Sequence, residues 1–138
     1  MKKATLILLL FYTAVLLAQT TQTEDIGSIK ITQKKCLKRK GYQLILKEVV
    51  SDSRCPEGVT CVWAGEVKVA VSLYDGKKLI QDEIITLSPM HKKEAFDWFA
   101  KYLPEEKRKI KSITVLPYPK QDVKINPKDY YLKIEYLK

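Results

Sequence analysis

The chain has 138 residues, with Lys+Arg 25 against Asp+Glu 16, a formal net charge of +9, and 46% hydrophobic and 30% charged residues. That length supports one core and excludes two comfortable domains. The positive excess favours anionic surfaces, but the lysines are spread along the chain rather than gathered in one block. This pattern describes a soluble basic surface and argues against a nucleic-acid partner.

Met1-Lys2-Lys3 precedes an apolar run from Leu6 to Leu17, broken only by Thr13, and then Ala18-Gln19-Thr20. A basic tip, an apolar stretch and a small residue before a polar tract predict a secretory signal peptide over residues 1–18, cleaved after Ala18. The run is shorter than the roughly 20 apolar residues of a membrane helix, so no stable membrane span is expected after processing. A retained anchor is the alternative. Residues 19–27 are polar and are expected to form a flexible lead-in, leaving 28–138 as a single β-rich domain.

Residues 28–32 alternate polar with β-branched side chains and predict a first, edge-type strand. Residues 33–40 are basic and loop-like. From Tyr42 to Val50 the composition is that of a strand, with Tyr42, Leu44 and Leu46 on one face, ending at Ser51-Asp52-Ser53. After a loop closed by cysteines, Val67, Val69, Val71 and Leu73 occupy every second position, the clearest period of two in the chain. Asp75-Gly76 then predicts a tight hairpin turn into a strand over 78–87.

The period changes next. Ala95, Phe96, Phe99, Tyr102 and Leu103 recur at intervals of three and four and predict one short amphipathic helix over 92–102, with Ser88-Pro89 as its cap and first-turn proline and Pro104 as its stop. Residues 107–111 read as a charged connection. Ile113 and Val115 begin a strand that Pro117 and Pro119 terminate, and residues 129–136 alternate again in a closing strand with Tyr130, Leu132, Ile134 and Tyr136 together. The fold class is therefore mostly β: an antiparallel β-sandwich with immunoglobulin-like layering and one short amphipathic helix. A small, partly open β-barrel is the alternative.

Three cysteines follow the leader: Cys36, Cys55 and Cys61. Export to an oxidising compartment favours pairing. Cys55 with Cys61 is the favoured bridge, because Pro56 and Gly58 allow the intervening turn; pairing through Cys36 is the alternative. If unpaired, Cys36 is a buried inert thiol or, with Lys34, Lys35, Lys38 and Arg39 nearby, a reactive one.

Around this loop, Asp52-Ser53-Arg54-Cys55-Pro56, Gly58-Val59 and Cys61-Val62-Trp63-Ala64-Gly65-Glu66 resemble the signature of a family of small, largely uncharacterised exported bacterial proteins with a DSRCPxGVxCVWAG-type motif. The resemblance extends more loosely to Leu116-Pro117-Tyr118-Pro119 and to Tyr131-Leu132-Lys133-Ile134. It implies a compact β domain outside the cytoplasm and carries over no activity.

Physically the motif reads as a corner. Asp52 and Arg54 pair or bond loop backbone, Trp63 packs as an apolar plate against the sulfurs, and Gly65 permits a bulge or close backbone approach. The functional alternative is a recognition loop presenting Arg54, Glu57 and Trp63, with Asp52 and Glu66 at its flanks.

Catalytic and cofactor patterns are missing. There is no G-x-S-x-G elbow, phosphate-cradling glycine loop or nucleotide fingerprint, so no cofactor is expected. Asp82-Glu83 and Glu105-Glu106 read as solvated surface. His91 beside Met90 is one imidazole without companion ligands, and no metal site is expected. The expectation is a non-enzymatic secreted or periplasmic module that binds or supports another envelope component, the candidate partners being an envelope protein or an anionic envelope polymer. The alternatives are an inhibitor-like protein presenting the Cys55–Cys61 loop, or an enzyme of unrecognised type.

Overall fold

Among the described residues, six stretches of alternating or β-branched residues form strands, in two antiparallel sheets of three. The computed structural model describes residues 24–34 and 41–138. The expected leader, residues 19–23 of the lead-in, and Cys36 lie outside the described residues.

One sheet is a meander of β2 (Tyr42–Asp52), β3 (Val67–Asp75) and β4 (Lys78–Leu87), with β3 in the middle. The other has the order β1 (Ile26–Ile31), β6 (Tyr131–Leu137) and β5 (Ile110–Leu116). The closing strand is thus central, pairing β1 from Ile26↔Leu137 to Ile31↔Leu132 on one side and β5 on the other. The two sheets layer as a small β-sandwich and do not join into the barrel considered as the alternative. β1 begins at Ile26, inside the segment expected to be flexible, and its approach is tied down where Lys138 N donates to Asp25 O at 3.0 Å.

Helix α1 spans Lys92–Tyr102, the bounds expected from its apolar spacing. Its buried Ala95 and Phe99, with Leu103 just beyond, join Leu46, Val69, Val71, Ile85, Leu132 and Ile134 in one core cluster. The start of the helix differs from expectation. His91 occupies the N-cap position without a side-chain cap, while Ser88 Oγ accepts from His91 N at 3.2 Å. Ser88 therefore closes the turn before the helix rather than its first turn, because Pro89 lies three residues ahead of the first helical position. The sequence 107–111 is also more ordered than a charged connection: a short 3-10 helix covers Glu105–Lys107, and β5 starts at Ile110.

The hairpin between β3 and β4 pairs Asp75 with Lys78, so its two corner residues are Gly76 and Lys77. Gly76 takes the positive φ, +58°. Glycine at the first corner position matches a type II′ turn, one step later than Asp75-Gly76 corners would be.

β2 carries two irregularities, between Leu46 and Glu48 and between Val49 and Ser51. Each inserts one extra residue, Lys47 and then Val50, and each extra residue reverses the side that the following residues face. Opposite the inward Val69 and Val67 stand Val49 and Asp52. Strict alternation from Leu44 and Leu46 would have placed both Glu48 and Asp52 inward; the first bulge puts Val49 inward in place of Glu48, and the second cancels that reversal, so Asp52 still reaches the inner face at the end of the strand.

Candidate functional site

The second bulge of β2 creates the centre of the cysteine corner. Asp52 and Arg54 have side chains only 10% and 9% exposed, and they form a two-pronged pair: Arg54 Nε donates to Asp52 Oδ1 at 2.8 Å and Nη2 to Oδ2 at 2.6 Å. The Arg54 amide also donates to Asp52 Oδ1, at 3.2 Å. The remaining guanidinium donors cross to the opposite sheet, reaching Val115 O at 2.5 Å and Pro117 O at 3.3 Å. The guanidinium lies over the Tyr118 ring, 4.7 Å from its centroid, and Tyr130 donates its hydroxyl to Asp52 Oδ2 at 3.3 Å. One arginine thus clamps the end of β2 to the end of β5. Planar, five-donor geometry makes arginine suited to this, where a lysine could supply only a point charge.

Burial alone would raise the Asp52 carboxyl, but the hydrogen bonds and charge of Arg54 outweigh it and hold the group below the usual carboxylate range. Burial, then the charge and hydrogen bond of Asp52, push the Tyr130 hydroxyl up. Because the Asp52 value is depressed on folding, its contribution is fully present above about pH 4, where the unfolded carboxyl ionises, and is lost as pH falls through the lower folded value. Asp52→Asn is therefore expected to be less stable than the parent at neutral pH, with the gap narrowing as pH is taken below about 4. Urea midpoints measured across that range check it; parallel curves for the two proteins would reject the linkage.

Beyond Arg54 the chain forms a braced loop. Cys55 and Cys61 are bridged, their Cα atoms 5.9 Å apart. Closing so few residues contributes about 2 kcal/mol on the chain-entropy estimate. Ser53 N donates to Glu66 O at 2.9 Å, and Cys55 N to Ala64 O at 3.2 Å, extending the β2–β3 ladder into the loop. Ser53 Oγ adds a bond to Glu66 O at 3.0 Å. On the far side Glu57 N donates to Pro119 O at 2.9 Å, with the Glu57 carboxylate 3.8 Å from Lys120 Nζ. Gly65 has φ +73°, and a Cβ there would collide with backbone atoms of Ser53 and Arg54. This is the close approach expected of that glycine.

The five residues singled out from sequence divide into two groups. Asp52 and Arg54 turn inward and are used up within the clamp, so Arg54 is not presented to a partner. Glu57 and Trp63 point outward; Glu66 lies between, ion-paired to Lys68 at 3.2 Å. Trp63 is 66% exposed, so most of its ring faces solvent rather than the core. The Gly65 approach and the Cys55–Ala64 hydrogen bond pin residues 64–66 to the strand end, while residues 58–63 are all exposed. Two apolar neighbours that the sequence does not single out are also exposed: Val62, the most exposed large hydrophobic residue described, and Val59 at 40%. The available signal was their place in a loop of Pro, Gly and Thr too short to fold back on the core.

His91 Nδ1 lies 3.0 Å from Ser88 Oγ. Among the described residues no group of three or more His, Cys, Asp and Glu side chains is placed to hold a metal ion, and no helix is long and apolar enough to cross a membrane. Of the paired acids, Asp82 sits in an exposed pair with Lys47 at 2.8 Å and accepts from Ser72 at 2.6 Å. Those hydrogen bonds lower its carboxyl.

Fold and site together define a disulfide-braced, two-sheet antiparallel β protein with an outward apolar loop tip. Comparison with protein families, curated proteins and solved structures finds no match to this chain.

Proposed function

We propose that this chain is a non-enzymatic binding module of the cell exterior or envelope, and that it contacts a partner protein through the tip of the Cys55–Cys61 loop. The observation that carries the reading is the contrast between base and tip. The base is held by a bridge, a strand-like ladder and a buried arginine clamp, while Val59, Val62 and Trp63 remain exposed at 40%, 105% and 66%. Leaving apolar side chains in water on a rigid support serves binding better than stability, since a preorganised loop loses little conformational entropy on docking. Tryptophan is also the side chain most enriched at binding hot spots. The basic, apolar N-terminal run and the oxidised pair of cysteines support export, and the resemblance of the motif to that of small exported bacterial proteins agrees with it.

The test is to replace Val62 and Trp63 together by Ser and compare capture of cross-linked envelope proteins with the parent. Both side chains are exposed, so the folded stability is expected to stay within about 0.5 kcal/mol, and loss of a specific cross-linked partner is the expected result. An unchanged capture profile from the double variant would end this reading.

An inhibitor-like use of the same loop is supported by the Pro119 and Lys120 contacts that hold Glu57 from behind. It predicts saturable inhibition of a protease by the parent and none by the double variant; a protease panel separates the two uses.

A further inference from the structure

The two sheets do not close on each other at every edge. β4 is the outer strand of one and β5 the outer strand of the other. Between them, beside the first turns of α1, opens a cleft of about 340 Å³. That volume falls at the lower end of the roughly 300–1,000 Å³ typical of small-molecule sites. It reaches the core: Val67 and Val115, only 2% and 1% exposed, line it together with Leu87, Ala95, Phe96 and Ile113.

The polar lining has one sign. Arg54, Lys92 and Lys111 contribute to it, and none of the described residues that line it is acidic. The charge of Arg54 is already answered by Asp52, so the available cations are the two exposed lysines. Lys111 Nζ meets Glu24 at 3.0 Å, but with side chains 44% and 59% exposed that pair is screened and easily exchanged. Lys92 lies 5.2 Å from the Phe96 ring centroid and is the first residue of α1, where the helix dipole adds partial positive charge.

We infer that this cleft binds an amphiphilic anion: a carboxylate on a single hydrocarbon chain, with its head at Lys92 and Lys111 and its tail against the half-buried Leu87, Phe96 and Ile113. An inorganic anion would leave the apolar walls in contact with water. A neutral apolar ligand would make no use of the cations at the rim. Only a molecule with both parts satisfies both features of the lining, and the modest volume suits a medium-length chain. This site is separate from the loop tip and does not depend on its use.

Decanoate, kept below its micelle concentration, is the probe, followed through the backbone amide NMR signals of the purified protein. Saturable shifts centred on Lys92, Ala95, Phe96, Ile113 and Val115 are expected. Acetate, which lacks the tail, should produce none. Decanol, which lacks the charge, should bind about tenfold more weakly, and the Lys92→Gln, Lys111→Gln double variant should lose a similar factor for decanoate. Both lysines are exposed, so the variant is expected to fold. The inference is overturned if the parent shows no saturable shift at these residues, if the double variant binds decanoate as well as the parent, or if acetate alone reproduces the shifts. It is likewise overturned if vesicles of phosphatidylglycerol bind while free decanoate does not, which would indicate a basic membrane-contacting surface rather than a ligand cleft.

Discussion

Arg54→Ala is expected to destabilise the protein by about 3–5 kcal/mol, the range for removing one partner of a buried ion pair. The substitution leaves the Asp52 carboxylate, 10% exposed, with Tyr130 and one backbone amide in place of a two-pronged guanidinium. It also removes the donors that reach Val115 O and Pro117 O, cutting the link between the two sheets at that end. Chemical denaturation at neutral pH measures the loss, and a value under about 1 kcal/mol would mean that the pair behaves as a screened surface bridge. Two companions separate charge from shape. Arg54→Leu combined with Asp52→Asn removes both charges and should recover part of the loss, since the buried carboxylate no longer lacks a partner. Arg54→Lys should recover little, because an ammonium cannot hold Asp52 and two carbonyls of the other sheet at once.

Gly65→Ala is expected to cost about 3 kcal/mol. Roughly 1–2 kcal/mol comes from placing a Cβ in the left-handed region at φ +73°, and the rest from forcing backbone apart. The atoms a Cβ would meet are the Ser53 carbonyl and Arg54 Cα, which belong to the chain itself and cannot swing aside as a side-chain end can. Gly58→Ala is the matched control: φ is +85° there, yet nothing lies within 4 Å of a Cβ. Only the conformational part should be lost at Gly58, so its denaturation midpoint should fall clearly less than that of Gly65→Ala. Equal losses at the two positions would show that the close approach contributes nothing. The Gly65 variant should also speed amide exchange at residues 62–66, because the same approach keeps the loop base registered on β2. If the loop binds as proposed, that loosening weakens partner capture without altering any contacting side chain.

These two expectations explain why the corner was only half legible beforehand. The bridge, the glycine approach and the Asp52–Arg54 pairing are local, involving residues within about a dozen positions of one another, and their residue types announce their roles. The rest of the clamp is not local. Val115, Pro117 and Tyr130 lie 61, 63 and 78 residues from their partners in the chain, and nothing in the neighbourhood of Tyr130 marks its hydroxyl as a donor to Asp52. The β2 bulges had no clear signature either: Lys47 and Val50 are ordinary strand residues, and their extra positions arise from fitting the strand against β3.

Strand content, the Val67–Leu73 alternation, the helix bounds and the Cys55–Cys61 bridge followed from the order of residues alone, because each depends on a period or a spacing within a single segment. Tertiary structure decided that Arg54 reaches across to the end of β5, the exposure of Trp63 and Val62, and the cleft between β4 and β5. Those properties depend on how two separately formed sheets meet, and inter-sheet packing joins atoms that the order of residues leaves far apart.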